Sequence, residues 1–402
     1  MDLYVTQSLG AGGTRRALQL RNISNNNDID IFFDLLGIDA PPPLVLDGFV
    51  FGAIFYAMSL GQDIHVHGAM SFDALLNLNE FQEAWNLWKP GVYKKIKIFP
   101  EKTIERLPLK NDNKAIAAFS GGVDSIFTVL RHNTKQLGNA SYPLNDSVLM
   151  VHGFDVPLDA PEQFEALKDR TKPLLDELNL KLLTLRTNLK ELNLQDWEDS
   201  FMAQLACCLH NYSDSFSYGI VGSSEPYNAL VLPWGSNPAT DYLLSNSAMR
   251  LVHDGAGYSR TEKVKEIAAH ETATKVLKVC WEGANTSRNC GHCEKCMRTR
   301  LNFRAIGIDE PECFDGALDI NNITKMYIRN DVQLAELVSI QKRAQERFIK
   351  EKWVYLLGER IEACRHPSGK LQKFFKLLVR GEFSEIALKT RAVFIKNYRK
   401  AR

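Results

Sequence analysis

Between residues 115 and 221, short apolar runs alternate with stretches whose apolar residues recur at helical spacing. Ala115 to Phe119 is an uninterrupted apolar run of strand length, broken at Ser120-Gly121-Gly122. Val123, Ile126, Phe127 and Leu130 then fall at i, i+3, i+4 and i+7, on one face of a helix reaching His132. Asp124 and Ser125 sit in its first turn, where side-chain oxygens cap free amides. Ser147 to Val151, Lys181 to Leu185 and Phe216 to Val221 read as further strands, separated by helices over Pro161 to Leu178 and Trp197 to His210. Such alternation predicts an α/β fold, a parallel sheet with helices on both faces. In these sheets ligands bind beyond the carboxyl ends of the strands. That rule gathers Ser120 to Ser125, His152 to Asp155, Thr187-Asn188 and Gly222 to Glu225 along one rim.

The flanking regions read differently. Residues 1–110 form an N-terminal α+β domain of unassigned role. Asp28 to Leu36 is a strand or short helix stopped by Pro41-Pro42-Pro43. Leu44 to Leu60 is a buried helix or strand-helix unit, Asp63 to His67 a strand leading into a helix over Ser71 to Trp88, and Lys94 to Phe99 another strand. Residues 306–402 predict a helical extension, with Phe348, Trp353, Leu356 and Leu357, then Leu371, Phe374, Phe375 and Leu378, at helix intervals. The central domain therefore spans 111–305. Within it, Pro233 to Pro238 is a loop of turn formers, and polar groups crowd Asp241 to Lys265, the makeup of a loop closing over a substrate. Arg260 and Lys263 are candidates there for neutralising an anionic leaving group, or are solvated charges at a helix start.

Composition changes this picture in two places. The chain has 402 residues, is 45% hydrophobic and carries a formal net charge of +1, so overall charge points to neither a nucleic-acid nor an acidic partner. Residues 341–402, however, hold 17 Lys+Arg against 6 Asp+Glu, leaving 32 against 42 for the rest. The basic C-terminal region is either a solvated face packed on the acidic body or a surface for a protein, RNA or DNA partner. Leu44 to Leu60 is interrupted by Asp47, Gly48 and Gly52 and is short for a bilayer, and Met1-Asp2-Leu3 does not open a signal peptide. These features predict a cytoplasmic protein without a membrane partner, its eight cysteines reduced or metal-bound. His65 and His67 alternate on one strand face, as a fragment of a metal site or as polar surface.

The chemistry begins at the glycine loop. Two glycines let the backbone pass close to a bulky anion, and the exposed amides and dipole of the following helix favour phosphate. The kinase-type G-x-x-x-x-G-K-[ST] pattern is absent, and no lysine lies between Ser120 and Leu130. Ser-Gly-Gly-Val-Asp-Ser resembles the signature of the PP-loop ATP pyrophosphatases, which have a HUP or Rossmann-like fold. The resemblance implies that ATP, with Mg2+, is cleaved between its α and β phosphates. It also implies that Ser120, Gly121, Gly122, Val123, Asp124 and Ser125 hold the pyrophosphate end, with Gly153 and Phe154 on the adenine side. A plain Gly-Gly turn between a core strand and a core helix is the alternative.

A second motif follows. Cys290, Cys293 and Cys296 are each three apart, and Cys280 lies ten residues earlier. Four thiolates satisfy tetrahedral Zn2+ with no open position, which makes such a zinc structural; an iron–sulfur cluster is the alternative. Cys207, Cys208, Cys313 and Cys364 lack metal spacing. A PP-loop domain followed by C-x(9)-C-G-x-C-x-x-C resembles the 7-cyano-7-deazaguanine synthase (QueC) family of queuosine-precursor biosynthesis, over roughly residues 112–305. That resemblance implies a C–N ligase that activates a 7-carboxy-7-deazaguanine-like acid with ATP and lets ammonia or an amine form an amide or nitrile. Ser120, Asp124 and Ser125, with Arg260 and Lys263, would be its catalytic residues, and a homodimer is compatible with it. The chain departs from the family in its long terminal additions and in the wording of Gly222 to Pro226 and Pro233 to Pro238. QueC-like proteins with added segments occur in bacterial antiviral defence, where the resemblance implies modification of a protein or nucleic acid. PP-loop tRNA modification and a nucleotide-binding module without turnover remain further readings.

Overall fold

The structure is a computed structural model that describes residues 1–10, 12–24, 27–105, 114–134, 142, 147–280, 282 and 287–366. Its strands are β1 (Asp2–Gly10), β2 (Gly13–Arg21), β3 (Ile29–Leu36), β4 (Ile64–Ser71), β5 (Ile98–Ile104), β6 (Ala115–Ala118), β7 (Ser147–His152), β8 (Lys181–Thr187), β9 (Tyr218–Gly222) and β10 (Arg250–Asp254). Its helices are α1 (Asp47–Leu60), α2 (Phe72–Trp88), α3 (Val123–Asn133), α4 (Pro161–Glu177), α5 (Trp197–His210), α6 (Arg260–Ala268), α7 (Glu271–Val276), α8 (Glu294–Ala305), α9 (Asp331–Glu346) and α10 (Lys352–Arg365).

All ten strands form one sheet in the order β10-β9-β6-β7-β8-β3-β2-β1-β4-β5. The five strands from β10 to β8 are parallel, as the strand and helix alternation predicts. The chain starts at the central β6, moves outward to β8, then crosses to β9 and β10. The direction of winding therefore reverses between β6 and β9, and at such a switch point the loops after neighbouring strands splay apart and leave a crevice. β3 continues the sheet by pairing antiparallel with β8, Phe33 opposite Thr187 and Leu35 opposite Leu185. The regions before and after Ala115 thus share a single sheet.

Two segments differ from the sequence reading, and a third holds strands that it did not assign. β1 and β2 pair antiparallel in full register, from Asp2 opposite Arg21 to Gly10 opposite Gly13. Their alternation is masked because the inward position 16 is an arginine, 1% exposed, that donates to Gln7 Oε1, Asn211 O and Pro41 O at 2.9, 2.9 and 2.7 Å. The strand expected over Lys94 to Phe99 begins only at Ile98 and runs to Ile104, with Pro100 tolerated on an edge strand. The polar stretch Asp241 to Lys265, expected as a closing loop, contains β10 and the start of α6.

Helices cover both faces. Phe51, Ile54 and Phe55 of α1 join Phe33, Trp85 and Cys207 in one core, while Ile126 and Phe127 of α3 join Leu174, Val264 and Phe303 in the other. A third cluster ties α9 and α10 to α8 through Leu301, Leu337, Trp353 and Leu357. Phe348, expected on a helical face, instead lies in the turn between α9 and α10 with φ 56° and 83% exposure. The apolar positions Leu371, Phe374, Phe375 and Leu378 and most of the basic region lie outside the described residues. Among the described residues no helix is long and apolar enough to cross a membrane.

Asp47 joins the N-terminal region to the loop before β10: it accepts from Ser71 N at 2.9 Å and from Asn246 Nδ2 at 2.8 Å. Burial nevertheless pushes its pKa up from 3.8 to about 6. A carboxyl whose folded pKa exceeds its unfolded value costs stability once it must ionise. The cost is absent below pH 4, grows between pH 4 and 6, and reaches about 3 kcal/mol above that. Asp47→Asn should remove this slope, so the urea midpoints of variant and parent should diverge as pH rises from 5 to 7.

Candidate functional site

The loop between β6 and α3 sits at the switch point. Gly121 has φ 72°, in the left-handed region, and its carbonyl accepts from Lys278 N at 2.8 Å. Gly122 is the N-cap of α3, and no side chain caps the helix. Ser125 Oγ turns back instead, accepting from Ser120 N at 3.3 Å and donating to Gly122 O at 3.1 Å. The capping role expected of Asp124 and Ser125 is therefore not taken up, because each side chain has a different partner. The first-turn amides of α3 are left for another acceptor, with the helix dipole behind them.

Asp124 faces two cations from α6. Arg260 Nη1 donates to Oδ2 at 2.9 Å and Lys263 Nζ to Oδ1 at 3.1 Å. A capping box between Ser259 and Glu262 fixes the first turn of α6, and Arg260 and Lys263, three apart, share its buried face. Lys263 Nζ also donates to Ser223 Oγ at 3.0 Å and to Ser223 O, which ties the loop after β9 to the loop after β6 across the crevice. Burial alone would raise the Asp124 pKa. The charges of Lys263 and Arg260 and the Lys263 hydrogen bond outweigh it and hold the pKa below 3.8. Burial lowers the pKa of Lys263, opposed by Asp124.

More cations converge than the sequence reading identified. Lys190, Lys278 and Lys295 all carry lowered pKa values from burial, each offset most strongly by Asp155. Asp155 is itself held low by Lys295, Lys278 and Lys190 against the effect of its burial. Lys190 Nζ donates to Phe154 O at 2.9 Å and lies 4.1 Å from the centre of the Trp197 ring, which Phe154 meets edge-to-face at 5.2 Å. Arg298 pairs with Glu294 at 2.6 Å and with Glu336 of α9, and Glu336 also approaches Arg260 Nε at 3.5 Å. Four lysines and two arginines thus surround Asp124 and Asp155, a charge balance suited to a polyanion. Lys278 and Lys295 carried a signal in their position. One lies two residues before Cys280 and the other inside the Cys293 to Cys296 step, where a metal knuckle would fix the backbone.

Gly153 has a reason of its own at this rim. Its φ is 108°, and a Cβ there would lie 1.9 Å from Thr187 O, where the ends of β7 and β8 crowd together. Gly153→Ala should lower stability by about 3 kcal/mol or more, read as a fall in the thermal midpoint.

The four cysteines expected to act together do meet. The sulfurs of Cys280, Cys290, Cys293 and Cys296 lie within 4.8 Å of one another. Cys280 to Cys293 is 3.7 Å and Cys290 to Cys296 is 3.8 Å. A tetrahedral ion with metal–sulfur bonds of about 2.3 Å sets sulfur–sulfur edges of about 3.8 Å, so the group fits a single metal ion. Backbone amides support two of the sulfurs, Cys293 N donating to Cys290 Sγ at 3.3 Å and Cys296 N to Cys293 Sγ at 3.5 Å. Asn289 staples the knuckle by accepting from Val279 N and Cys280 N and donating to Leu277 O and Cys313 O. Among the described residues no other group of His, Cys, Asp and Glu is close enough to hold a metal. His67 spends both ring nitrogens on Asp2 and Glu101, and His65 stacks on Phe99.

No family model, curated protein or solved structure matches the chain. What the site can do rests on its own geometry: a glycine loop at a switch point, several cations around two carboxylates, and a four-thiol group able to hold one metal ion, with Lys278 and Lys295 beside it.

Proposed function

We propose that the protein activates a carboxylic acid with ATP, giving an acyl adenylate and pyrophosphate, and that ammonia or an amine then takes the acyl group and releases AMP. The observation that carries this reading is Asp124. It sits in the first turn of an uncapped helix behind the Ser-Gly-Gly loop, clamped by Arg260 and Lys263 across the crevice between β6 and β9. An uncapped helix start offers amides to a phosphate chain, and fixed cations stabilise the charge that builds on pyrophosphate as its bond to the α phosphorus breaks. ATP is the substrate suited to that arrangement, with Mg2+ arriving as its counter-ion. Ser120 to Ser125 would hold the phosphates, Lys263 and Arg260 the leaving group, and Lys278, Lys295 and Lys190 further anionic groups of the nucleotide or the acid.

The acid we favour is of the 7-carboxy-7-deazaguanine type, on the resemblance of the two motifs and their order. A second activation of the resulting amide would permit its dehydration to a nitrile. Zn2+ is the metal we assign to the cysteines, because edges near 3.8 Å match one tetrahedral ion, whereas the several irons of a cluster would hold the sulfurs further apart. Its chemistry there is structural, as all four positions are taken by thiolates.

The test is incubation of purified protein with Mg2+, ATP, ammonia and 7-carboxy-7-deazaguanine, followed by mass spectrometry. Acid-dependent AMP with an amide or nitrile product is expected. AMP formed only after cell extract is added would keep the activation step and move the acid or the amine to a cellular macromolecule. ATP bound without AMP under both conditions would overturn the proposal in favour of a nucleotide-binding module.

A further inference from the structure

The function proposed above needs a place for the amine and a group to take its proton, and the cations around Asp124 can supply neither. Glu225 lies in the turn just past β9, 5% exposed. Its Oε2 accepts from Val231 N at 3.0 Å, while Oε1 is buried without a partner. An unmatched buried oxygen is destabilising, so an arriving donor would recover free energy. Glu225 lines a cleft together with Arg260, Thr261, Asn302 and, on α9, Val332 and Ala335. Arg260 belongs equally to the clamp on Asp124, so the cleft opens beside the phosphate loop.

The neighbouring strand β10 carries an oriented imidazole. His253 Nδ1 lies 2.7 Å from Asp241 Oδ2, and Asp241 is itself held by Ser236 Oγ at 2.7 Å and Asn237 N at 2.9 Å. That pairing assigns the Nδ1 proton to the Asp241 bond and leaves Nε2 as the lone pair, and Nε2 too is buried without a partner. Burial raises the Glu225 pKa, with the Val231 amide pulling the other way, and His253 on β10 stands opposite Val221 of β9, the strand that leads into Glu225.

We propose that this cleft is the amine subsite and that Glu225 Oε1 takes the proton of the attacking amine. The inference rests on the acyl-transfer reading above. The nitrogen lone pair forms the C–N bond and the carbon–oxygen bond to AMP breaks, AMP leaving with the electron pair. One proton passes from nitrogen to Glu225 Oε1 and on to His253 Nε2 or water. Asp241 is a positioning residue, acting only through His253.

ATP–pyrophosphate exchange with 7-carboxy-7-deazaguanine reads the first step without any amine, whereas amide formation from ammonia reads both. Glu225→Gln should leave exchange within about twofold of the parent and slow amide formation by about 100-fold, with a raised KM for ammonia. Unchanged amide formation overturns the proposal, and so does a parallel loss of exchange, which would make Glu225 a part of the activation step or of the fold. If the glutamine variant does not fold, Glu225→Asp must give the same split. Absence of exchange in the parent protein refutes the activation reading itself, and the amine subsite with it. Exchange in the parent combined with an unsplit variant refutes only the subsite.

Discussion

Asp124→Asn is expected to lower AMP formation by about 100-fold or more and stability by about 2–3 kcal/mol. The two effects share a cause. Lys263 is 1% exposed and Asp124 24%, so the lysine depends on the carboxylate more than the carboxylate depends on solvent. With asparagine at 124, Lys263 Nζ keeps neutral acceptors in the amide oxygen and Ser223 but loses the carboxylate charge that offsets Arg260. Burial already lowers its pKa, and removing the carboxylate charge takes away the largest opposing effect, which weakens the cation that a leaving pyrophosphate needs. The stability loss falls short of a fully buried pair because water reaches one partner. Adding Lys263→Met to Asp124→Asn makes the pair neutral and should return stability to within about 1 kcal/mol of the parent, while AMP formation stays low. Urea midpoints read the first quantity and mass spectrometry of AMP the second. A single variant that retains AMP formation within about fivefold would show the pair to be structural only. Because the folded pKa of Asp124 lies below 3.8, its pairing contributes fully above pH 4 and is lost as pH falls through the lower folded value. The stability difference between parent and variant should therefore vanish only in strong acid.

How much of this was legible in the chain depends on whether the signal is local. Ala115 to Ser125 was readable because an apolar run, two glycines and a helical face follow one another within a few residues, and β6, Gly122 and α3 lie where that reading puts them. The cysteine group was readable from spacing alone, since a three-residue step brings successive sulfurs round one ion. The pairing of β1 with β2 was not, because Arg16 occupies an inward position and is satisfied by Gln7, Pro41 and Asn211, two of them far away in sequence. The β3 to β8 pairing that joins the two halves of the sheet links residues about 150 apart and leaves no local trace. Arg260 and Lys263 could be named from their charge and place in the chain. Lys278 and Lys295 were marked only by their place beside the cysteines, and a lysine there looks like any other until the knuckle sets its direction. Glu225, His253 and Asp241 fall on a strand end, a strand and a short turn whose convergence only the sheet order supplies.

Removing the metal, by chelation or by Cys293→Ser, is expected to be the most damaging change of all, and to take fold and activity together. A structural zinc contributes on the order of 10–16 kcal/mol of apparent binding energy, comparable with the whole stability of a typical domain. Here the ligands are also structural joints. Cys293 is the N-cap of α8, and its sulfur receives the Cys296 amide. Losing it frees the first turns of α8, which carry Glu294, Lys295 and Arg298, and unlocks the Asn289 staple that holds the chain beside Lys278. Lys278 N would then release Gly121 O, so damage would spread from the knuckle to the phosphate loop. Cys364→Ser is the control: this half-buried thiol stands outside the cluster and should change neither metal content nor melting. Elemental analysis should find about one zinc per chain in the parent and almost none in the Cys293 variant. Iron with visible absorption would replace zinc by a cluster. Full melting temperature and AMP formation in a metal-free Cys293 variant would reduce the four cysteines to ordinary buried thiols.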